Sequence, residues 1–191
     1  MERELALEIV RATEAAALAS AQWIGRGKKN EADDAATTAM REVLNTVNMN
    51  GTVVIGEGEL DEAPMLFIGE RVGTANGPIV DIAVDPLEGT NIVAKGLGNA
   101  MVVIAVADQG ALLHAPDMYM DKLTVGPNLK GHVSLDDPLE VIIEKAAQYN
   151  NKRIEDVTVI MQDRPRHDHF REAAMRMGAR VRLFEDGDVS A

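Results

Sequence analysis

Two stretches near the N-terminus place their apolar side chains three or four residues apart, which is the spacing of one face of an α-helix. The first predicts a helix over residues 4–23, ended by the glycines at positions 25 and 27. The second predicts a helix over residues 31–48, with Asn30 as its N-cap. The apolar face of this second helix comprises Ala36, Met40, Val43, Leu44 and Val47.

Short apolar runs that follow these helices predict β-strands. The strand at residues 79–84 is expected to stop at Pro86, because proline cannot donate a hydrogen bond to a neighbouring strand. With the two helices, the strands predict an α+β layer in which a largely antiparallel sheet is flanked by helices. The other predicted strands cover residues 52–55, 101–107, 110–114 and 122–125.

The pattern changes after Pro127, where helical and strand patterns alternate. They predict helices over 138–149 and 167–177 and strands over 157–161 and 180–184. This alternation is typical of an α/β unit with parallel strands. We therefore predict two domains, residues 1–130 and residues 131–191. The second is expected to be incomplete, since a further helix would begin near residues 186–188.

Charge and composition narrow the class of function. The net charge of −12 disfavours nucleic acid, because phosphate backbones are bound by a surplus of Lys and Arg. It is compatible with a small phosphorylated ligand if a bound cation inverts the local charge. The absence of cysteine excludes disulfides and thiolate-bound metals and fits a reducing cytosol.

No segment has the pattern of a signal peptide. The longest apolar run, residues 101–107, is far shorter than the roughly 20 residues that span a bilayer. We therefore expect a cytoplasmic protein that does not insert into a membrane.

The sequence DPLEGT at residues 85–90 has the residue types of a metal–phosphate site. Asp85 ends an apolar run, and a turn at Pro86 would let Asp85 and Glu88 converge on a hard cation, which prefers oxygen ligands. Gly89 would let the backbone approach a ligand closely, and a short helix over residues 90–94 would direct N–H groups at a phosphate. The alternative is a proline turn with two solvated acids that cap a helix.

Two further acidic positions admit both a structural and a functional interpretation. The sequence GEGELDE at residues 56–62 follows a predicted strand and places Glu57 between two glycines, but a charge run is also typical of a solvated face. Asp33 lies in the first turn of the second helix, where the helix dipole favours an anion by roughly 0.3–1 kcal/mol. It is either an acid placed by that dipole or a functional group, as a metal ligand or as a partner for a hydroxyl.

Taken together, Asp33 and the segments at 56–59 and 85–90 resemble the lithium-sensitive, metal-dependent phosphatase superfamily, whose usual motif is D-P-[LI]-D-G-T. The DPLEGT variant, with VIGEGE at residues 54–59 and APML at residues 63–66, resembles the class II fructose-1,6-bisphosphatases of bacteria. The resemblance extends along essentially the whole chain. It includes residues 28–34, 118–120, 162–166 and 186–188.

This resemblance implies a role for each matching residue. Asp33 and Glu57 would bind one Mg²⁺ or Mn²⁺ ion, and Asp85 and Glu88 a second. Thr90, hydrogen-bonded towards an acid such as Asp33, would orient the attacking water, with Asp61 as a further acid or base. Without the family, Arg164 and Arg166 are equally well explained as a basic loop before a helix. The implied substrate-binding residues are Glu88, Gly89, Thr90, Tyr119, Arg164, Pro165, Arg166, Asp186, Gly187 and Asp188.

The resemblance also implies a sugar-phosphatase type of fold, a homo-oligomer and the hydrolysis of fructose 1,6-bisphosphate to fructose 6-phosphate in gluconeogenesis. Two alternatives remain open: a sedoheptulose-1,7-bisphosphatase, and a non-catalytic fragment that binds metal or sugar phosphate. Chains of the family continue past the point that matches residue 191, and the missing part supplies another metal-binding carboxylate. We therefore expect a C-terminally truncated chain with an incomplete site.

Overall fold

The computed structural model describes residues 3–56, 66–114 and 119–190. It divides the chain into two compact units between residues 117 and 118. Compactness alone does not establish which segments fold independently, so the domain bounds 1–130 and 131–191 stay a prediction. No helix in the described ranges is long and apolar enough to cross a membrane.

Two packed helices open the first unit: α1 (Arg3–Ala21) and α2 (Lys29–Leu44). The predicted N-cap of α2 was wrong, because Lys28 occupies that position and its carbonyl accepts the first helical hydrogen bond, from the Ala32 N–H at 3.2 Å. The predicted end at residue 48 was also wrong. After Leu44 the chain tightens into a turn in which the Val47 N–H donates to the Leu44 carbonyl.

The sheet of the first unit has four strands in the order β2-β1-β3-β4. They are β1 (Asn50–Ile55), β2 (Arg71–Val72), β3 (Ile79–Glu88) and β4 (Met101–Asp108). Two of the neighbouring pairs are antiparallel, but the central pair, β1 with β3, is parallel. The mixed sheet with its helices confirms the predicted α+β layer. Parallel strands usually need a helical crossover, and the absence of a helical pattern between these two strands concealed their parallel pairing.

Two predicted strands are not strands. After β4 the chain turns, with the Gly110 N–H donating to the buried Asp81 carboxylate at 2.6 Å and the Ala111 N–H to the Asp108 carbonyl at 3.0 Å. Gly110 therefore lies in a turn, and residues 111–114 belong to no strand. Residues 122–125 have no strand partner among the residues that the structure describes. Apolar runs of this length indicate a strand only when a neighbour is available to pair with them.

The core of the first unit lies between the helix pair and the sheet. Burial on α1 and α2 follows the predicted helical spacing, and the small Ala12, Ala16, Ala32 and Ala36 are completely buried. Small side chains let the two helix axes approach closely, so that both helices contact the sheet. The larger side chains of this core include Ile9, Met40, Leu44, Met49, Val53, Leu66 and Ile82.

The second unit contains the predicted parallel pair, β5 (Thr158–Gln162) with β6 (Arg180–Phe184). Its helices are α4 (Leu139–Tyr149) and α5 (Asp168–Arg176), each within two residues of its predicted bounds. They bury a separate small core that consists of Ile143, Ala147, Val157, Ala174 and Ala179. This arrangement confirms the predicted α/β type of the segment.

Candidate active site

The parallel pairing of β1 and β3 brings the two acidic segments to one edge of the sheet. Ile55 pairs with Ala83, so the chain leaves β1 at Gly56 close to the point where β3 reaches Asp85. Both strands carry an irregularity here: the β1–β3 register shifts between Val53 and Ile55. Such bulges are common next to active sites, because they change the direction of side chains without ending the strand.

A second bulge accommodates the proline of the DPLEGT sequence. The prediction that this strand stops at Pro86 was wrong. β3 continues to Glu88, with a register shift between Asp85 and Glu88. Proline has no N–H to donate to a neighbouring strand, and a bulge tolerates this because the ladder of hydrogen bonds is interrupted there. The Leu87 N–H donates instead to Asp85 Oδ1 at 3.0 Å. This bond fixes the Asp85 carboxylate at the start of the bulge.

Asp33 lies near Asp85, although the two residues belong to different elements. Helix α2, which carries Asp33 in its first turns, packs against β3 and against α3 (Thr90–Lys95). Burial, followed by repulsion from the carboxylates of Asp85 and Asp34, raises the pKa of Asp33 to about 6. The structure therefore brings together two of the predicted metal ligands.

Gly89 and Thr90 form the start of α3, which confirms the predicted short helix. Gly89 is the N-cap and has φ 99°, a conformation that other residues rarely adopt. A Cβ at this position would lie 3.0 Å from Ile92 Cδ1, so a side chain would have to displace Ile92 in addition to straining the backbone. The Gly89 carbonyl accepts the N–H groups of Ile92 and Val93. Thr90 follows as the first helical residue.

The turn between α1 and α2 holds α3 in place, a connection that the sequence pattern did not indicate. The Gly25 N–H donates to the Val93 carbonyl and the Gly27 N–H to the Ala94 carbonyl, each at 2.9 Å. Carbonyl groups at a helix end otherwise lack partners. The two glycines that follow α1 thus satisfy carbonyl groups at the C-terminal end of the helix that begins at Thr90.

The acidic segment 56–62 begins at a close contact between Gly56 and Leu66. A Cβ on Gly56 would lie 2.1 Å from the Leu66 carbonyl oxygen, so only glycine permits these two residues to approach so closely. Leu66 is completely buried, and nearby Glu70 forms an ion pair with Arg41 of α2 at 2.5 Å. Glu57 and Asp61, predicted as metal ligand and as acid or base, lie outside the described residues.

The donor set fits a divalent cation. The two charged groups that raise the pKa of Asp33 are both carboxylates, and carboxylate oxygens are the ligands of hard cations such as Mg²⁺. Within residues 3–56, 66–114 and 119–190 no three His, Asp or Glu side chains form a metal cluster. Asp33 and Asp85 place two carboxylates near each other, and the metal-ligand assignments of Asp33, Glu57, Asp85 and Glu88 stay predictions.

In the second unit the structure brings together two of the predicted substrate-binding residues, Tyr119 and Arg166. The Arg166 guanidinium lies over the Tyr119 ring, 4.6 Å from its centroid, and donates to Gln162 Oε1 at 2.7 Å. Arg164 does not join this pair, since its Nη1 donates to the Asp163 carbonyl at 3.0 Å. Pro165 starts the 3₁₀ turn Pro165–His167, which positions Arg166.

The other predicted substrate residues follow β6. Asp186 lies in the bend after that strand and Gly187 follows it, and Asp188 makes an ion pair with Lys122. Sequence reasoning missed Lys122 and Gln162, which interact directly with two residues of the predicted set. Gln162 lies in the segment 162–166 that resembles the family, whereas Lys122 lies just outside the segment 118–120 and carried no such signal.

Comparison with known proteins identifies the family. Residues 3–191 match the model for "Bacterial fructose-1,6-bisphosphatase, glpX-encoded". Over its full length the chain is 54% identical to "Fructose-1,6-bisphosphatase 1 class 2" of Escherichia coli K12 and covers 57% of that protein. It is 50% identical to "Fructose-1,6-bisphosphatase class 2" of Haemophilus influenzae, again with 57% of that protein covered.

A cyanobacterial relative carries a double name. The chain is 47% identical to "D-fructose 1,6-bisphosphatase class 2/sedoheptulose 1,7-bisphosphatase" of Synechococcus sp. strain JA-3-3Ab, over the full chain and 58% of that protein. The chain thus spans somewhat more than half the length of these curated relatives. Because the family model matches nearly every residue of the chain, the chain belongs to the bacterial, glpX-encoded fructose-1,6-bisphosphatase family.

Proposed function

We propose that the protein is a phosphoric monoester hydrolase that converts fructose 1,6-bisphosphate into fructose 6-phosphate and phosphate. The observation that carries this proposal is the convergence of Asp33 and Asp85 beside Gly89 and the start of α3, in a chain whose relatives are named fructose-1,6-bisphosphatases. This reaction would serve gluconeogenesis in the cytoplasm.

Asp33, Glu57, Asp85 and Glu88 would hold Mg²⁺ or Mn²⁺. A divalent cation at these carboxylates would neutralise charge on the transferring phosphoryl group and lower the pKa of water. Gly89 allows phosphate oxygens to approach the backbone, because it carries no Cβ. Thr90 would orient the attacking water through its hydroxyl group, with Asp33 as the acceptor and Asp61 as a further acid or base.

Tyr119 and Arg166 would bind the sugar and its distal phosphate. The cation–π contact and the Gln162 hydrogen bond restrict the Arg166 guanidinium before substrate arrives, which lowers the entropic cost of binding. Arg164 would contribute a second guanidinium, and Asp186 and Asp188 would accept hydrogen bonds from sugar hydroxyls. Arginine suits this role because it binds phosphate through two parallel hydrogen bonds.

Sedoheptulose 1,7-bisphosphate is the second candidate substrate. The double name of the Synechococcus relative raises it as a candidate, whereas the relatives of higher identity carry the fructose name alone. Fructose and sedoheptulose bisphosphates carry the same reacting phosphate ester and differ in the length of the sugar between the phosphates. The same carboxylates would therefore serve both, and the distance from the scissile phosphate to the distal-phosphate site would set the preference.

The test is phosphate release from both bisphosphates, with Mn²⁺, with Mg²⁺ and with chelator. We expect turnover of fructose 1,6-bisphosphate that depends on the metal and is lost in Asp85→Ala by more than about 100-fold, since loss of residues that merely support metal ligands costs about 10–100-fold. Asp136→Asn, an exposed acid of the second unit, is the control. Wild-type turnover in Asp85→Ala would contradict the metal assignment.

Calorimetry distinguishes the non-catalytic alternative. Binding of Mn²⁺ and of sugar bisphosphate without phosphate release would show a protein that binds but does not hydrolyse. The experiment is best done on chain 1–191 and on a version extended to the length of the relatives. Release by the longer version alone would place an essential part of the site beyond the equivalent of residue 191.

A further inference from the structure

The chain contains two Asn-Gly pairs, Asn50-Gly51 and Asn76-Gly77, and the fold places them in opposite environments. The first pair begins β1, where Gly51 is buried and pairs with a neighbouring strand on each side. The second pair lies between β2 and β3, within the stretch 74–79, in which every residue is exposed. The two pairs carry the same chemical groups, so the fold decides how each of them reacts.

The turn between β2 and β3 requires glycine at position 77. Gly77 has φ 96°, a conformation that other residues rarely adopt, and a Cβ there would lie 2.4 Å from the Asn48 carbonyl oxygen. Among the backbone hydrogen bonds of the described residues, none has the Gly77 N–H as its donor. The residue that follows Asn76 therefore presents a backbone nitrogen that no side chain shields.

The Asn76 side chain is held weakly. Its Nδ2 donates to the Thr74 carbonyl at 3.3 Å, and its backbone N–H donates to Thr74 Oγ1 at 3.4 Å. Both distances exceed the usual range of about 2.7–3.2 Å for such bonds, and both bonds are exposed to water. The carboxamide can therefore turn towards the nitrogen of Gly77.

The sheet restricts the first pair. The Asn50 N–H donates to the Pro78 carbonyl at 2.9 Å, and Asn50 Oδ1 accepts a hydrogen bond from Arg71 Nη1 at 3.3 Å. For the Asn50 carboxamide to meet the Gly51 nitrogen, the peptide group between the two residues would have to rotate. That rotation would break backbone hydrogen bonds whose groups are buried, which is costly.

We propose that Asn76 is a site of spontaneous deamidation, at which the protein acquires isoaspartate as it ages. Asparagine is a thermolabile residue. The Gly77 nitrogen attacks Asn76 Cγ, and the Nδ2 group leaves as ammonia with the proton of the Gly77 nitrogen. Water then opens the cyclic imide at one of its two carbonyl groups, which gives aspartate or isoaspartate. Water is the only co-reactant.

Isoaspartate would disturb this turn more than aspartate, because it adds one carbon atom to the main chain after Asn76. Before this point, the Ala75 N–H donates to the Met49 carbonyl at 3.1 Å. After it, the Pro78 carbonyl accepts the Asn50 N–H at 2.9 Å. The added atom lies between two anchored points, so the longer main chain weakens the attachment of the turn to the start of β1.

Peptide mapping by mass spectrometry tests the proposal. The folded chain is kept at pH 8, and the peptides that contain Asn50 and Asn76 are followed for conversion of amide into acid. We expect conversion at Asn76 to be at least about tenfold faster than at Asn50. The rate should rise with pH, because the attacking nitrogen must lose its proton. Equal rates at the two positions, or conversion at Asn50 alone, would overturn the proposal.

The unfolded chain is the matched control. In urea both pairs lose their surroundings, so the conversion rates at Asn50 and Asn76 should converge. A difference that persists in urea would assign the selectivity to the local sequence and would contradict the role of the fold. Asn76→Gln, which keeps the amide on a longer side chain, should remove the early product from the folded chain.

Methyl transfer by an isoaspartyl methyltransferase identifies the product. The aged wild-type chain should accept the methyl group, whereas Asn76→Asp, which carries the same charge on an unaltered main chain, should not. Urea unfolding should then give a lower midpoint for the methyl-accepting protein than for Asn76→Asp. Equal midpoints would refute the weakened attachment of the turn to β1.

Discussion

The carboxylates of Asp33 and Asp85 repel each other across the junction between α2 and β3, and this repulsion adds to burial in raising the pKa of Asp33 to about 6. The two acids cannot both be ionised near neutral pH without an electrostatic cost. A divalent cation would remove that cost, since each carboxylate would then face a positive charge. Metal binding and stability are therefore expected to be linked at this site.

The first prediction concerns stability in the absence of metal. Because the folded-state pKa of Asp33 is raised, the protonated group favours the folded chain below pH about 4, and this contribution is lost as the pH rises through about 6. Asp33→Asn should remove this dependence and make the metal-free chain more stable than wild type at pH 8. Urea unfolding from pH 4 to 8, with the wild-type curve subtracted, measures the effect.

The second prediction is that Asp33, which destabilises the metal-free chain at pH 8, stabilises the chain when metal is present. Millimolar Mn²⁺ should raise the midpoint of thermal unfolding of the wild-type chain at pH 8, because a ligand that binds only the folded state stabilises it. Asp33→Asn should lose most of that increase, whereas Asp136→Asn should retain it. An equal increase in Asp33→Asn would exclude Asp33 as a metal ligand.

The third prediction concerns Gly89, whose φ of 99° places it in a strained region for any other residue. Gly89→Ala should destabilise the protein by about 1–3 kcal/mol and abolish phosphate release, because the added Cβ meets Ile92. Gly131→Ala is the control: Gly131 has φ 78°, but a Cβ there meets nothing within 4 Å. Equal phosphate release by the two variants would contradict a role for Gly89 in the site.

The fourth prediction concerns the ion pair between Arg41 and Glu70. The Glu70 side chain is 6% exposed, so removal of Arg41 would leave a buried carboxylate without its cation. Since Arg41 is itself partly exposed, we expect Arg41→Met to cost about 2–3 kcal/mol, less than the roughly 3–5 kcal/mol of a fully buried pair. Urea unfolding of the single and double variants gives the coupling, and a double variant Arg41→Met/Glu70→Gln should recover part of the loss.

The fifth prediction concerns the contact between Arg166 and Tyr119. Tyr119→Phe keeps the aromatic face, whereas Tyr119→Ala removes it and should weaken sugar-phosphate binding by about 0.5–1 kcal/mol through the lost cation–π contact. Titration of fructose 6-phosphate into both variants measures the difference. Equal affinities would show that the ring does not position the guanidinium.

Local features of this protein followed from the sequence because their causes lie within a few neighbouring residues. The apolar spacing along α1 and α4 predicts helices with one buried face. Gly89 likewise indicates a backbone conformation that needs glycine at the start of α3. The DPLEGT segment, together with residues 54–59 and 63–66, was also sufficient to indicate the family. Residues 110–114 show the limit, because an apolar run becomes a strand only if another strand lies beside it.

Only the tertiary structure decided which of these segments meet. The parallel pairing of β1 with β3, the bulge that carries β3 through Pro86, and the proximity of Asp33 to Asp85 depend on contacts between residues far apart in the chain. No local pattern specifies such contacts, because the energy that selects them comes from the shared core and not from the segment itself. The sequence by itself therefore determined the chemical groups available to this protein, and the fold determined which of them act together.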